Sequence, residues 1–409
     1  MSSKKLLCAI VTRDTNWLVD TLFSVPYTTF CEINPMQLGS KLPNPYGLEY
    51  SEEPDIIVVD TSFFGWLKNT NKEHTIGTVL SSLRKMSKYK AIVGTEGTDW
   101  IHLSKSPEVY EGLDIIIKAQ GIYKDADMYN YEIGSCSTNK DWLAKKYPIP
   151  NRYSEETLSK LRLSFPCFLS INKRIRNKSR SLKKSISPIG KSMRKFGDII
   201  SDLECSVLRK INSRPAKDLH FVGGLTHIQR LDMLMLLREY FSDNNTLKIT
   251  NIEEYIWGMA HGRNPTPPET IQYLNKAVSE NNLFSMKRLN RNSFKRTLFN
   301  HKIILTPTGF GELTFRHGEG WNSKRVVLSQ NLSHINMMYP CVDNENVVFC
   351  KSDFSNLDRV IKQLLNDEIY RRNIADRGFQ VWDEWNSGLK QVLYDGFSKH
   401  VYALLNLKN

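Results

Sequence analysis

Short apolar runs, each bounded by polar or turn residues, recur along this chain and leave it few folds to choose from. Residues 6–11 read LLCAIV, 55–60 DIIVVD, 90–94 KAIVG and 114–118 DIIIK. Later come DLHFVG at 218–223, a short strand at 248–250, IIL at Ile303–Leu305 and VVL at Val326–Leu328. Runs this short and this apolar are strands buried on both faces, as in parallel sheets. Helical stretches fall between them, near Asn16–Val25 and Thr75–Ser87, and alternation of this kind builds doubly wound α/β domains. Ligands of such sheets bind beyond the carboxyl ends of the strands, so the polar residues just after each run are the ones to inspect.

The richest of these lies between Ile303–Leu305 and Val326–Leu328. It reads as a loop holding Gly309, Gly311, Gly318 and Gly320 together with Glu312, Arg316, His317 and Glu319. Glycines let backbone amides come close to a ligand, and helix N-termini after such loops attract phosphate. Arg316 offers a forked, permanently charged partner for a diphosphate. A carboxylate one turn on, Glu319, accepts from ribose hydroxyls. Together these suit a nucleotide-sugar pocket.

The order of pieces around it resembles the donor half of GT-B glycosyltransferases, of the exostosin-like and group 1 types. The pieces are Phe294 to Phe299, Ile303 to Leu305, Pro307-Thr308-Gly309, Arg316-His317-Gly318-Glu319, Val326 to Leu328 and Asp343 to Glu345. Asn356 to Leu365, Ile374 to Gly378 and Trp382 follow, and the resemblance spans about residues 217–400. It implies two Rossmann-like domains facing a central cleft: an acceptor domain over 1–165, a basic linker or insertion over 166–216, a donor domain over 217–380, and a C-terminal helix, 381–409, crossing back onto the first domain. By the same resemblance Gly223, Gly224, Thr226 and Arg230 are donor-side residues. Gly309 and Gly311 shape the backbone cradle, Arg316 and Lys324 neutralise the leaving group in place of a metal, His317 either touches the donor or is a packed histidine, and Glu319 holds hydroxyls. Retaining members usually carry two glutamates separated by seven residues, whereas six separate Glu312 from Glu319, which leaves retention or inversion open. An inverting enzyme needs a base at the acceptor hydroxyl. The strand end Gly94–Asp99 and the histidine behind it supply Glu96, Asp99 and His102 as catalytic candidates, although Glu96 and Asp99 equally suit caps of the next helix.

Composition narrows the class further. The 409 residues, 40% hydrophobic and 24% charged, are ordinary for a globular chain of two or three domains. No apolar run approaches the ~18 residues of a membrane span, and the apolar start ends at Thr12-Arg13-Asp14, so the expected location is cytoplasmic. Seven scattered cysteines form no Cys-x-x-Cys pair, which argues against a zinc ribbon or redox dithiol. The Gly223-Gly224 turn lacks Gly-x-Gly-x-x-Gly spacing, so a nicotinamide cofactor is not expected. Neither a metal nor any other cofactor is expected, and a metal-dependent single-domain transferase is disfavoured.

The net charge is +13, and residues 173–195 carry ten Lys/Arg and no acid, so the rest of the chain holds only +3. Such a run suits an anionic membrane surface or a solvated insertion. The reading is therefore a metal-independent glycosyltransferase acting on a glycan or lipid-linked glycan, peripheral at a membrane, with no nucleic-acid partner. The alternative is a basic nucleic-acid- or membrane-binding protein without catalysis.

Overall fold

A computed structural model describes residues 5–12, 17–33, 52–70, 75–97, 101–103, 105–130, 152–166, 203–224, 229–240, 244–250, 272, 289–308 and 312–406. The basic run 173–195 lies outside them, as do Asp99, Thr226, Gly309 and Gly311.

Two parallel sheets carry the fold. The first contains β1 (Leu6–Val11), β2 (Thr28–Glu32), β3 (Ile56–Asp60), β4 (Ile92–Glu96) and β5 (Ile115–Lys118). The short strands β6 (Ile122–Tyr123) and β7 (Leu161–Leu163) follow. Its order is β2-β1-β3-β4-β5-β7 with every pair parallel. The second contains β8 (Lys217–Gly224), β9 (Thr246–Thr250), β10 (His301–Thr306) and β11 (Val326–Gln330), with β12 (Ile335–Asn336) and β13 (Val348–Cys350) after them. Its order is β13-β11-β10-β8-β9, again all parallel. These are two Rossmann-like domains. The inner strands β3, β4, β5 and β11 are buried at every position, as their unbroken apolar runs require.

Both sheets wind the same way. From the first strand the chain steps outward to one edge, returns over that strand and continues on its other side. The switch points therefore lie between β1 and β3 and between β8 and β10, and a crevice opens beyond the carboxyl ends of the strands at each.

The domains meet along a continuous apolar core. Trp385, Phe397, Val401 and Tyr402 are buried together with the first-sheet residues Leu6, Cys8 and Ile10, and with Trp321 and Val327 of the second domain. The chain returns to the first sheet after the helix Glu368–Ser387: Ser398 Oγ donates to the Pro26 carbonyl and Ser164 Oγ to that of Gly396, both at 2.9 Å. A two-stranded antiparallel ribbon of β6 and β12 joins the domains, pairing Tyr123 with Ile335.

The structure differs from the sequence reading in three places. Residues 315–322, expected in a glycine-rich loop, form the helix Phe315–Asn322, so Arg316, His317 and Glu319 stand on a rigid element. Gly320 there is a packing glycine: a Cβ would sit 2.5 Å from Val327 Cγ2. The expected break near residue 380 is absent, and the 20-residue helix Glu368–Ser387 runs through it; Gly378 within it makes room for Trp321, whose Cδ1 would lie 2.5 Å from a Cβ. Finally, the edge strands β2 and β7 join the first sheet from stretches whose burial is mixed, one of them only three residues long.

Candidate active site

The crevice between β8 and β10 gathers the charged groups of the second domain. Gly223 and Gly224 close β8, and Thr306, Pro307 and Thr308 leave β10. Arg230, buried at the start of the helix Gln229–Leu236, donates from Nε to the Thr308 carbonyl at 3.0 Å and from Nη1 to that of Gly224 at 2.7 Å. It ties the two strand ends together. Thr308 is fixed again by the Gln330 amide oxygen, which accepts from its N–H at 3.0 Å and its hydroxyl at 2.9 Å.

Arg316 reaches into this crevice from the first turn of its helix. Its guanidinium lies against Gly223 so closely that a Cβ there would be 2.2 Å from Nη2. The Phe221 ring lies beneath it, 5.1 Å from Cζ to centroid, and Phe294 flanks it at 6.0 Å, at cation–π range. Its carboxylate neighbour is Glu319, 4.0 Å away, with side chains 14% and 26% exposed respectively. Burial lowers the Arg316 pKa and raises that of Glu319, while their mutual attraction works the other way in each. A cation buried at a strand end is a ready partner for an anion.

His317 does not face the crevice. It is fully buried, with Thr314 N–H donating to Nδ1 at 3.2 Å and Nε2 lying 3.0 Å from Ser329 Oγ. Burial pushes its pKa down to about 4, so it is a neutral brace between its helix and β11. Lys324 is also elsewhere. It follows the C-terminus of that helix with φ +59, pairing with Asp376 at 2.9 Å. An eight-residue helix spans about 12 Å, so Lys324 lies at the opposite edge of the sheet and does not share a leaving group with Arg316.

On the first-domain side Glu96 ends β4 fully buried. Burial alone would raise its pKa, but Lys118 and hydrogen bonds from Tyr110 at 2.5 Å and Thr61 at 2.8 Å outweigh that and hold it ionised. These side chains hold its carboxylate in place. His102 is 3% exposed, edge-on to Tyr123 and Tyr129. The chain's one Asp-x-Asp, Asp125-Ala126-Asp127, is an exposed turn in which Asp125 accepts from the Asp127 N–H.

The residue that joins the two sides is Glu312, four before Arg316. It accepts from the Tyr123 hydroxyl at 2.9 Å and from the Ile101 N–H at 3.4 Å, both across the domain seam. Burial raises its pKa, against the pull of the Tyr123 hydrogen bond and of Lys118. Lys118, itself fully buried, thus acts on Glu96 and Glu312 alike. Sequence reading noticed Glu312 only for its spacing from Glu319. Lys118 and Tyr123 both lie in the run Lys118–Lys124, which the sequence marks as a polar strand end facing the acceptor; their meeting with Glu312 is not readable there, because it depends on how the domains dock.

Two doubly wound sheets of like order, a seam at their carboxyl ends and a C-terminal return to the first sheet form a known plan. The architecture is GT-B. No protein-family model matches the sequence, and no curated protein matches it either. Among solved structures the chain is similar to Anabaena Alr3699/HepE in complex with UDP, at 11% identity over 97% of this chain and 100% of that one, with a TM-score of 0.47. A glycosyltransferase from Rickettsia africae ESF-5 follows at 10% identity, covering 99% and 100%, TM-score 0.45. UDP-GlcNAc 2-epimerase from Neisseria meningitidis, bound to UDP-GlcNAc, aligns at 10% identity over 95% and 100%, TM-score 0.41. Among the described residues no helix is long and apolar enough to cross a membrane.

Proposed function

We propose that this GT-B protein transfers a sugar from a nucleotide-sugar donor to a glycan or lipid-linked glycan, without a metal ion. The observation that carries the reading is Arg316, set on a helix N-terminal turn at the β8–β10 switch point and pressed onto Gly223. Backbone, helix and guanidinium there converge where a diphosphate would lie, and positive charge built in advance stabilises a departing diphosphate. Because Arg316 supplies that charge, the reaction as proposed needs no divalent ion. Glu319 takes the donor hydroxyls. Gly223 and Gly224, with Gly309, Gly311 and Thr226 from outside the described residues, complete the donor side. Arg230 acts by holding the strand ends. For proton transfer we add Glu312 to Glu96, Asp99 and His102, since it lies closest in sequence to Arg316 and spans the cleft. The run 173–195 is proposed to hold the protein at an anionic membrane near its acceptor.

Release of nucleoside diphosphate from a panel of UDP-, GDP- and dTDP-sugars in excess EDTA tests this. Wild type should release it from one donor. Arg316→Ala should lose roughly a hundredfold, the size of a lost charge-stabilising donor, and Arg316→Lys should recover part. Release that survives Arg316→Ala, or that EDTA abolishes, would overturn the reading.

A further inference from the structure

We propose that the second domain carries another anion site, at the amino-terminal edge of its sheet, that takes a small phosphate-bearing ligand carrying two or more negative charges. A cavity of about 620 Å³ opens there, lined by Arg214, Lys302, Lys324, Arg325, Arg371 and Arg372, with Glu368 the one acid among the described residues of its wall. That volume suits a small organic ligand. The site is distinct from the switch-point crevice: Lys302 begins β10 and Arg325 precedes β11, so it faces the other edge of the sheet.

Among the described residues the charge there is not balanced. Lys302 pairs with Asp218 at 2.6 Å, Lys324 with Asp376 at 2.9 Å, and Arg372 with Glu368. Asp367 also attracts Arg371, as Glu368 and Asp218 do, so among the described residues six cations face four carboxylates and an excess of two remains. Two of the remaining cations are costly to hold. Arg325 is 6% exposed and, among the described residues, donates to carbonyls alone, those of Phe299, Asn212 and Lys324. Burial pushes its pKa down to about 10. Arg371 is spent in the same way on the carbonyls of Leu364 and Leu365, which end the helix Leu357–Asn366. A buried guanidinium whose hydrogen bonds are met by neutral oxygens keeps its full charge, and an anion in the cavity would compensate both at once. Arg214, exposed at the rim, and Arg372 on the facing helix supply the outer contacts. Four of the six cations are guanidiniums, whose planar forks match phosphate oxygens.

The test titrates the full chain with inorganic pyrophosphate, following the melting temperature at matched ionic strength in sodium chloride. Three proteins are compared: wild type, the rim double variant R214E/R372E, and Arg316→Ala. Arg325 and Arg371 are left intact because each holds backbone carbonyls. Arg316→Ala should retain a response although the crevice has lost its diphosphate partner, and the rim variant should lose that share of the wild-type response, needing at least tenfold more pyrophosphate for it. A response lost in Arg316→Ala but kept in R214E/R372E would place the binding in the crevice and overturn the proposal. Sedimentation with phosphatidylglycerol vesicles separates a free phosphate from a lipid headgroup. If pyrophosphate is silent, yet vesicles pull down wild type and not R214E/R372E, the phosphate is a lipid's. If vesicles pull down both, or neither, the cavity binds no phosphate and the proposal fails.

Discussion

At the scale of residues, two side chains of one helical turn do opposite things. Arg316 is kept charged at a crevice; His317 beside it is kept neutral inside. For His317 the sign is definite. The unfolded chain takes up a proton near pH 6.5, the folded one only near 4, so the stability present at neutral pH is lost as pH falls through that window. The loss is about 3 kcal/mol. His317→Gln should remove that share, and urea midpoints from pH 7 to 4 should fall less steeply than wild type; an unchanged slope would show that His317 titrates freely. Gly223→Ala probes its neighbour. A Cβ 2.2 Å from Nη2 displaces only the end of a flexible side chain, so the melting temperature should hold within a few degrees while nucleotide affinity drops roughly tenfold, about 1.4 kcal/mol. Equal affinity in calorimetric titrations would separate Arg316 from the nucleotide. The residue types of this pocket were readable in the sequence. Their orientation was not, since Arg316, His317 and Glu319 look alike in a string and differ only once a helix assigns each a face.

At the scale of elements, the strands were the most legible part. Runs such as DIIVVD and VVL admit hardly any other reading, because only a strand covered on both faces buries so many branched side chains in succession. The helix Phe315–Asn322 was hidden by its own glycines, which look like loop residues until the sheet beneath is known. Gly320 is tolerated mid-helix because the helix lies directly on β10 and β11, with Val327 and Ile304 in the space a side chain would need. Gly320→Val should therefore cost about 1–3 kcal/mol by overpacking, seen as a lower denaturation midpoint. A neutral result would mean that the helix stands further from the sheet. The edge strands β2 and β7 escaped notice for the converse reason: half-exposed and short, they lack the apolar signature of the centre.

The whole molecule is held by a core that runs from the first sheet through the C-terminal helices into the second domain. Phe397, fully buried, packs on Phe30 at 6.0 Å between ring centroids. Phe397→Ala should cost about 3–5 kcal/mol and should lower the midpoint of both domains together. Two separated transitions would instead show that the domains unfold independently. Domain docking is also what the sequence conveyed least. Glu312 finds Tyr123 across 189 positions of chain, and no local pattern encodes that meeting, nor does any place Lys118 between two carboxylates. The aromatic-rich terminus could be read as a crossing helix only through its resemblance to other two-domain transferases.

The measurement that bears most directly on the central claim is nucleotide binding at Arg316. Thermal shift of wild type and Arg316→Ala against UDP, GDP, CMP and their sugar conjugates, with EDTA present, gives the answer in one plate. One nucleotide should raise the wild-type melting temperature, increasingly with concentration, and Arg316→Ala should lose that response while keeping its unliganded melting temperature. If no nucleotide shifts wild type, or if the same one shifts Arg316→Ala equally, the crevice between β8 and β10 is not a donor site.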